Sequence, residues 1–479
     1  MKFALSKTRR RILLYGLTAL FLIAAPFVIF YSIGIFVDLR SRTLLPTGGI
    51  FVKTNVTGAK VFLNGALAKE NSFLSRGALL NDITEGAYLL RVEKERYQPW
   101  QKKVVVKNGT VSEFRNIFLI PQEPAETTVF QITSPAMAIK TIDPAAGASA
   151  VITISENEDT RLFLLDTATN QITNTDVRHV LETALSPTKQ KLLIKTFAKE
   201  NNANWTVADI SNDEFRIIAS LPQRISYFAN NAAKTILLKT IKKISFHPLD
   251  ENKLYLQDNQ TNLFLYDTAS QTANLVISNV NSFFPAQNGI FFLDKNGFLA
   301  FSDFLGKQIT VLDKKGFFLT NVPSKFISSP ASSALGIIDQ GGGLFFLSDP
   351  AEELRMLAHD TANAAISPFS DKIAYWNRQE INILWLKDSK ESPFEKSGDI
   401  TAVFKTDGKE TIRDAVWLDD NVHLLYLTDK RIVLSEIDPR GGILASTVID
   451  VNANHFFYDP NGKKIYWANK NLIRSISLE

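Results

Sequence analysis

The side chains able to do acid, base or ligand chemistry are thinly spread in this chain. It has five histidines, no cysteine, and 49 aspartates and glutamates among 479 residues. Without thiols, disulfides, thiolate metal sites and cysteine nucleophiles are excluded in any compartment. His179, His247, His359, His423 and His455 are scattered along the chain, whereas a metal needs three or four ligands brought together. Gly-x-Ser-x-Gly, His-Glu-x-x-His and Walker-type patterns do not occur. Gly341-Gly342-Gly343 lacks a following Lys-Ser/Thr and reads as a hairpin turn. Asp459-Pro460-Asn461-Gly462 carries turn residues, not the spaced oxygens and distal glutamate of a calcium loop. The abundant carboxylates leave a glycosidase pair open without placing it. No catalytic, cofactor-binding or metal residue is therefore expected. Sequons at Asn55, Asn108, Asn204 and Asn259 carry little weight, because asparagine also favours turns. One group has the right types to hold a partner. Arg224, Lys234, Lys239, Lys242 and Lys243 fall in a basic insertion, Gln223–Lys243, which reads either as a solvated loop or as a docking loop for an acidic partner.

The elements that would position such residues begin with a membrane segment. Ile12 to Val37 is an apolar run without one charge, long enough to span a bilayer with some tilt, and Pro26 is placed to kink it. Residues 1–42 carry Lys2, Lys7, Arg9, Arg10, Arg11, Arg40 and Arg42 against Asp38, a net +6 that leaves −2 of the formal +4 for the rest. The basic balance thus reports a membrane flank and not a nucleic-acid surface. The expectation is a cytoplasmic basic tail (1–11), an uncleaved signal anchor (12–37), and everything beyond on the outside of the cell membrane, by the positive-inside rule. A cleaved signal peptide is the rival, with Leu22-Ile23-Ala24-Ala25 as its site, but the apolar run continues well past it.

Residues 48–120 read as short strands and turns, a small β-sandwich. Asn64-Gly65 is a turn signal, and Lys107-Asn108-Gly109-Thr110 predicts a hairpin between Lys102–Val106 and Phe114–Leu119. Tyr88, Tyr97 and Trp100 are expected in the core. Gly58-Ala59-Lys60-Val61-Phe62-Leu63-Asn64-Gly65, Thr84-Glu85-Gly86-Ala87-Tyr88 and Arg96-Tyr97-Gln98-Pro99-Trp100 resemble, in order, the signatures of the PEGA domain family. Thr84 stands where that family prefers proline and Arg96 where it prefers glycine. The resemblance implies an envelope module of microbial surface proteins and no catalytic residues. Residues 121–128, with Pro121 and Pro124, read as a stiff linker.

From residue 129 a unit recurs about eight times: an apolar run, a turn, a second apolar run and a hairpin. Leu185-Ser186-Pro187 leads to Lys191-Leu192-Leu193-Ile194, Ile366-Ser367-Pro368 to Lys372-Ile373-Ala374-Tyr375, and Phe457-Tyr458-Asp459-Pro460 to Lys464-Ile465-Tyr466-Trp467. Turn prolines are placed at Pro144, Pro187, Pro248, Pro285, Pro330, Pro368 and Pro460, with Leu418-Asp419-Asp420-Asn421 as a further turn. Four-stranded units at this period predict a β-propeller over residues 129–479, eight-bladed, or seven-bladed if the Pro285 unit is misread. The last unit lacks a fourth strand, and Val129–Thr133 is the spare that would close the ring. The Ser-Pro-x-x-x-Lys cores resemble the WD40-like repeats of TolB-type propellers, without the Gly-His and Trp-Asp marks of true WD40 units.

The fold class is thus all-β behind one transmembrane helix. The leading functional expectation is a non-enzymatic, membrane-anchored binding or scaffold protein whose propeller takes a protein or envelope-polymer partner, with no cofactor and no nucleic acid. The alternatives are a propeller enzyme, a glycan hydrolase or lyase with its site in the central funnel, and a TolB-like component of an envelope transport or assembly complex.

Overall fold

The computed structural model describes every residue except 1–6, 33–34, 39–42, 135–136, 146–148, 158, 199–201, 212–213, 230–231, 314–324, 329–333, 350–352, 392 and 479. The expected turn at Pro330 lies outside the described residues. The chain divides into two compact units. One is Met1–Glu123 with Lys390–Pro393 and Asp438–Leu444; the other is the remainder.

The first unit opens with a helix, α1, Lys7–Ser32, which runs through Pro26. The expected apolar span does not stay helical to Val37. Ile35–Asp38 is a strand, antiparallel to residues Thr43 to Pro46. Ile35, Phe36 and Val37 favour extended backbone, and a partner strand stands four residues on. Among the described residues, no helix is long and apolar enough to cross a membrane. Leu13, Leu14, Leu17, Leu20, Phe21, Leu22 and Ile23 of α1 are nonetheless exposed.

Two four-stranded sheets follow. Thr43–Thr54 pairs with Ile35–Asp38, with Gly77–Thr84 and, in parallel, with Val111–Ile117; the second sheet runs Ala66–Glu70, Lys60–Leu63, Gly86–Glu93, Trp100–Val106. The sequence of Trp100–Val106 buries alternate residues, as period-two patterning requires. Ile50, Val52, Val61, Leu90, Trp100, Val104 and Phe114 meet in the core, and Trp100 lies edge-on to Phe114 at 5.5 Å. Tyr88 and Tyr97 pack against this core from its rim. The Asn64-Gly65 turn has positive φ at both residues, 49° and 85°, as a type I′ hairpin turn does. The Lys107–Thr110 turn is not a hairpin. It carries the chain from one sheet to the other, because Val104 and Val106 fill the core from one layer while Phe114 and Ile117 fill it from the opposite one. Gly48 permits this crossing: a Cβ there would sit 2.4 Å from the Lys107 carbonyl.

In the second unit, eight consecutive sheets follow one another among the described residues. Their first strands are Met137–Pro144, Val180–Leu185, Ile241–Phe246, Val280–Ala286, Lys325–Ser328, Asn363–Ile366, Ile412–Trp417 and His455–Asp459. Each pairs antiparallel with the strand after it, and first strands of neighbouring sheets lie close together. That makes them the innermost strands. The last sheet supplies only three strands, and its fourth is Thr127–Gln131, paired with Leu472–Ser477. The first and last strands of this unit thus share one sheet, and the array is a closed β-propeller, which leaves no unpaired sheet at either end.

The repeated motif has a bonding reason. Ser186 accepts the Lys191 N–H at its Oγ (3.0 Å), and its own N–H donates to the Lys191 carbonyl (2.9 Å). Ser367 and Lys372 repeat both bonds. Two lysines at this position reach out of their own sheet: Lys191 donates to Asn252 in the third (3.0 Å), and Lys464 to the Thr167 carbonyl in the first (3.0 Å). Pro187, Pro248, Pro368 and Pro460 stand at such turns, but Pro144 and Pro285 do not. They lie within the innermost strands, opposite Ala150 and Ile290. An edge strand has one side without ladder bonds, and proline is tolerated there.

The Gln223–Lys243 segment is not a loop. Arg224–Ala229 and Ala232–Leu237 form a hairpin, and its first strand pairs in parallel with Thr272–Ile277, so the third sheet has six strands. Ile225, Ile236 and Leu238 are buried with Trp205, Val207 and Phe264, and Tyr227 stands edge-on to Phe264 at 4.9 Å. Ile225 and Tyr227 on one strand, and Ile236 opposite Ile225 on the other, give the hairpin its inward face.

Candidate functional site in the propeller axis

One rung of the innermost strands is polar in all eight sheets. The residues are Thr141, Glu182, Lys243, Ser282, Lys325, Asn363, Asp414 and His455, and the rungs are set by their partners Thr153, Lys195, Gln257, Leu293, Ile338, Trp376, Leu427 and Ala468. Glu182, Lys243, Asn363, Asp414 and His455 each stand four residues before the residue that opens the strand's turn, at Ser186, His247, Ser367, Leu418 and Asp459. In five of the eight strands a bulge precedes the rung residue, which turns the following side chain by one position. The neighbours one residue on, such as Ile142, Ile244, Phe283, Ala415 and Phe456, are buried apolar groups packed between sheets. The rung therefore marks where the stack stops being dry.

These groups act on one another across sheets. Lys325 donates to Asn363 Oδ1 at 2.7 Å. Lys243 donates to the Phe283 carbonyl at 2.9 Å and sits 4.9 Å above the Phe283 ring. Within the first sheet, the Thr141 and Thr153 hydroxyls bond at 2.7 Å. Asp414 in the seventh sheet feels both Lys325 in the fifth and His455 in the eighth. Coupling that skips the sixth sheet requires side chains converging on the axis. One pleat further toward the turns, Asp143 feels His455 and Lys189.

Burial pushes the Asp143 and Asp414 carboxyls up, and pushes the Lys189, Lys243 and Lys325 ammonium groups down. Yet Asp143, Lys189 and Lys325 are exposed by surface area. Both statements hold for a group that touches water inside a narrow concavity, where most of its surroundings are protein. The arc formed by the seventh, eighth and first sheets holds Asp414, His455 and Asp143, and that of the third and fifth holds Lys243 and Lys325. Chemically, two carboxyls held toward their neutral form beside an imidazole can pass a proton, and the opposing cations can hold an anion.

A cavity of about 250 Å³ lies nearer the turns than the rung, lined by Ala184, Leu185, Pro187, Ser245, Phe246, Pro248, Phe284 and Pro285 among others. Phe284 is stacked on Phe326 at 5.7 Å. No group of three or more histidines, cysteines or carboxylates that could hold a metal occurs among the described residues.

Of the basic residues singled out in the sequence, Arg224, Lys234, Lys239 and Lys242 are exposed. They do not make one patch. The register pairs Lys234 with Tyr227 and Arg224 with Leu237, so the two cations stand on opposite faces of the hairpin. Lys239 lies in the short 3-10 turn Leu238–Thr240, and Lys243 belongs to the axial rung. The axial residues escaped a reading by motif. Lining up the repeats on their turns and reading four residues back would have found five of them.

The desolvated Asp414 gives a test of sign. Its folded value lies above the unfolded one, so the native state holds the proton more tightly. Stability is then lost as pH rises through the folded value. Asp414→Asn should therefore unfold at a higher temperature than the parent at pH 7, with the gap closing at pH 4, in paired thermal melts. A gap that widens on acidification would refute a desolvated carboxyl.

Comparison with known proteins gives the following. The PEGA domain family matches residues 47–117. No curated protein matches the chain. Among solved structures, the chain is similar to the C-terminal WD40 domain of Sif2, at 11% identity and a TM-score of 0.48, over 74% of this chain and 99% of that one. It is also similar to the β-propeller domain of Cps50 (Swd1) from Myceliophteria thermophila, at 8% identity and a TM-score of 0.42, over 74% and 100%.

Proposed function

We propose that this chain is a membrane-anchored binding or scaffold protein, with its N-terminus in the cytoplasm and an eight-bladed propeller outside. The observation that carries the binding role is the axial rung. A closed ring presents cations and carboxyls of both signs, and the lysines are already held by carbonyl and amide partners, which suits recognition of a polar partner more than turnover. The anchor is supported by the sequence run Ile12–Val37, which is free of charge, and by the uncovered leucines and phenylalanine of α1. Such a surface is costly in water. The third blade's added hairpin is a second contact for an acidic protein, through whichever face meets it: Arg224 and Lys234 stand on opposite faces, and from Arg216 to Leu249 the chain has no aspartate or glutamate. A TolB-like place in an envelope assembly is one form of this role.

Protease added to intact cells should remove the propeller and leave a fragment ending beyond α1, and the chain should stay with membranes after alkaline carbonate washing. Full protection in cells whose surface is otherwise digested would overturn the outward orientation. Release by carbonate would overturn the anchor. A catalytic reading, a glycan hydrolase or lyase, is favoured by one observation: Asp143 and Asp414 are both pushed toward the protonated form and both lie near His455.

A further inference from the structure

The small sandwich carries a cationic groove that the axial site does not involve. It is an open concavity of about 740 Å³. Lys60, Arg91, Lys94 and Arg96 line it. Two acids, Glu93 and Glu95, also line it, so cations outnumber anions. Glu93 is engaged by Arg91 at 2.5 Å, although its register position is across from Lys60. Lys94 is held over the Tyr97 ring, 5.2 Å from its centre. The Lys60 ammonium and the Arg96 guanidinium have no carboxylate partner among the described residues.

Arg96 is the informative residue. Its backbone has φ of 67°, a conformation that glycine adopts freely and a side chain bearing Cβ does not. The chain is pinned there, since the Arg96 carbonyl accepts the Gln122 N–H at 2.8 Å. A guanidinium is thus kept at a position where glycine would relieve strain.

We propose that this groove binds an acidic polysaccharide. Carboxylate or phosphate groups along the polymer would meet Lys60, Lys94 and Arg96, and the sugar rings would lie along the exposed Pro99. A membrane surface is flat and does not enter a concavity, whereas a single polymer strand does. The biological setting of this binding rests on the outward orientation argued above. The binding itself does not, so the two can fail separately.

The test uses the full chain purified in detergent, with polygalacturonate as probe, uncharged dextran as control, and soluble glycerol 3-phosphate, an anionic lipid headgroup without its chains, as competitor. The chain should bind polygalacturonate and not dextran, and binding should weaken steeply as salt shortens the screening length. Lys60→Gln with Arg96→Gly should weaken it about tenfold or more, as loss of two interfacial charges implies. Arg96→Gly alone should leave the melting temperature unchanged or raise it, which separates lost binding from lost fold. Undiminished binding by the double variant, absence of polymer binding, or displacement of the polymer by glycerol 3-phosphate at equal concentration of charge would each overturn the proposal.

Discussion

Asp371→Ala should destabilise the propeller by about 3–5 kcal/mol, the usual cost of stripping one partner from a buried ion pair. Lys372 is the reason. Its side chain is 3% exposed, and its ammonium lies 2.7 Å from Asp371 Oδ2 and 4.7 Å above the Trp385 ring. Burial pulls the Lys372 value down and the Asp371 bond resists that pull. Asp371 also joins two sheets. It accepts Ser367 Oγ at 2.8 Å in its own turn, and Asn421 Nδ2 at 3.1 Å from the turn of the seventh sheet. Asn421 is itself buried, and its Oδ1 accepts the Phe369 N–H. Alanine at 371 leaves a buried cation and a buried amide unmet together. Lys372→Met removes the cation and keeps the bulk, so it should cost only about 1–2 kcal/mol, the scale of lost hydrogen bonds. The double variant should be less damaged than the sum, by at least about 1 kcal/mol of coupling.

The pH dependence has a definite sign. Burial raises the Asp371 carboxyl, but the bonds from Lys372, Asn421 and Ser367 outweigh it and leave the net value lowered. A lowered carboxyl contributes stability above the unfolded value of about 4 and loses it as pH falls through the folded value. The gap between parent and Asp371→Ala should therefore be full at pH 7 and narrow below pH 4. Urea unfolding followed by tryptophan fluorescence reads it, since five of the six tryptophans lie in the propeller. Equal loss in Asp371→Ala and Lys372→Met would show that the turn, not the trapped charge, is what matters.

The same turn chemistry explains how much of the molecule was legible beforehand. Ser186, Ser367 and their following lysines bond locally, so they recur in sequence and mark each sheet. The closing strand was legible because the last unit, ending at Ile476, is one strand short. It begins two residues earlier than expected, at Thr127, since pairing to Leu472–Ser475 sets its place and composition does not. Three features were hidden for physical reasons. Proline usually marks a turn, but Pro144 and Pro285 sit on an edge strand where a missing N–H costs nothing. The cations of Gln223–Lys243 mask the alternation of Ile225 with Tyr227 and of Ile236 with Leu238, which is what folds that segment onto the third sheet. The strand after Lys107–Thr110 changes sheets, and only the shared core of a sandwich, not the turn residues, dictates that. The axial rung lies between these cases. Glu182, Lys243, Asp414 and His455 share no residue type, so no motif exists, yet their common distance from the turn is fixed.

Removing residues 472–479 should abolish the folded propeller, not merely trim it. Those residues form the third strand of the last sheet and the template for Thr127–Gln131. Ile473, Ile476 and Leu478 are fully or almost fully buried. Ile473 packs in one cluster with Ile139, Ile152 and Leu165 of the first sheet and Phe457 and Tyr466 of the last. Loss of the strand exposes that cluster and frees both edges of the array at once, and an open edge of this kind invites association between chains. The seam is also held by polar bonds. Tyr466 donates to the Thr167 carbonyl at 2.8 Å, Lys464 bonds the same carbonyl, and Arg474 pairs with Glu126 at 2.7 Å. A milder variant tells closure apart from general loss of core. Ile473→Ala should cost about 2–5 kcal/mol, as a buried large-to-small change does, and should speed hydrogen exchange first in Thr127–Gln131 and the first sheet. Exchange that rises evenly around all eight sheets would mean that the seam carries no special share of the stability. A truncated chain that stays monomeric, with a native-like cooperative melt, would mean that the ring does not need to close.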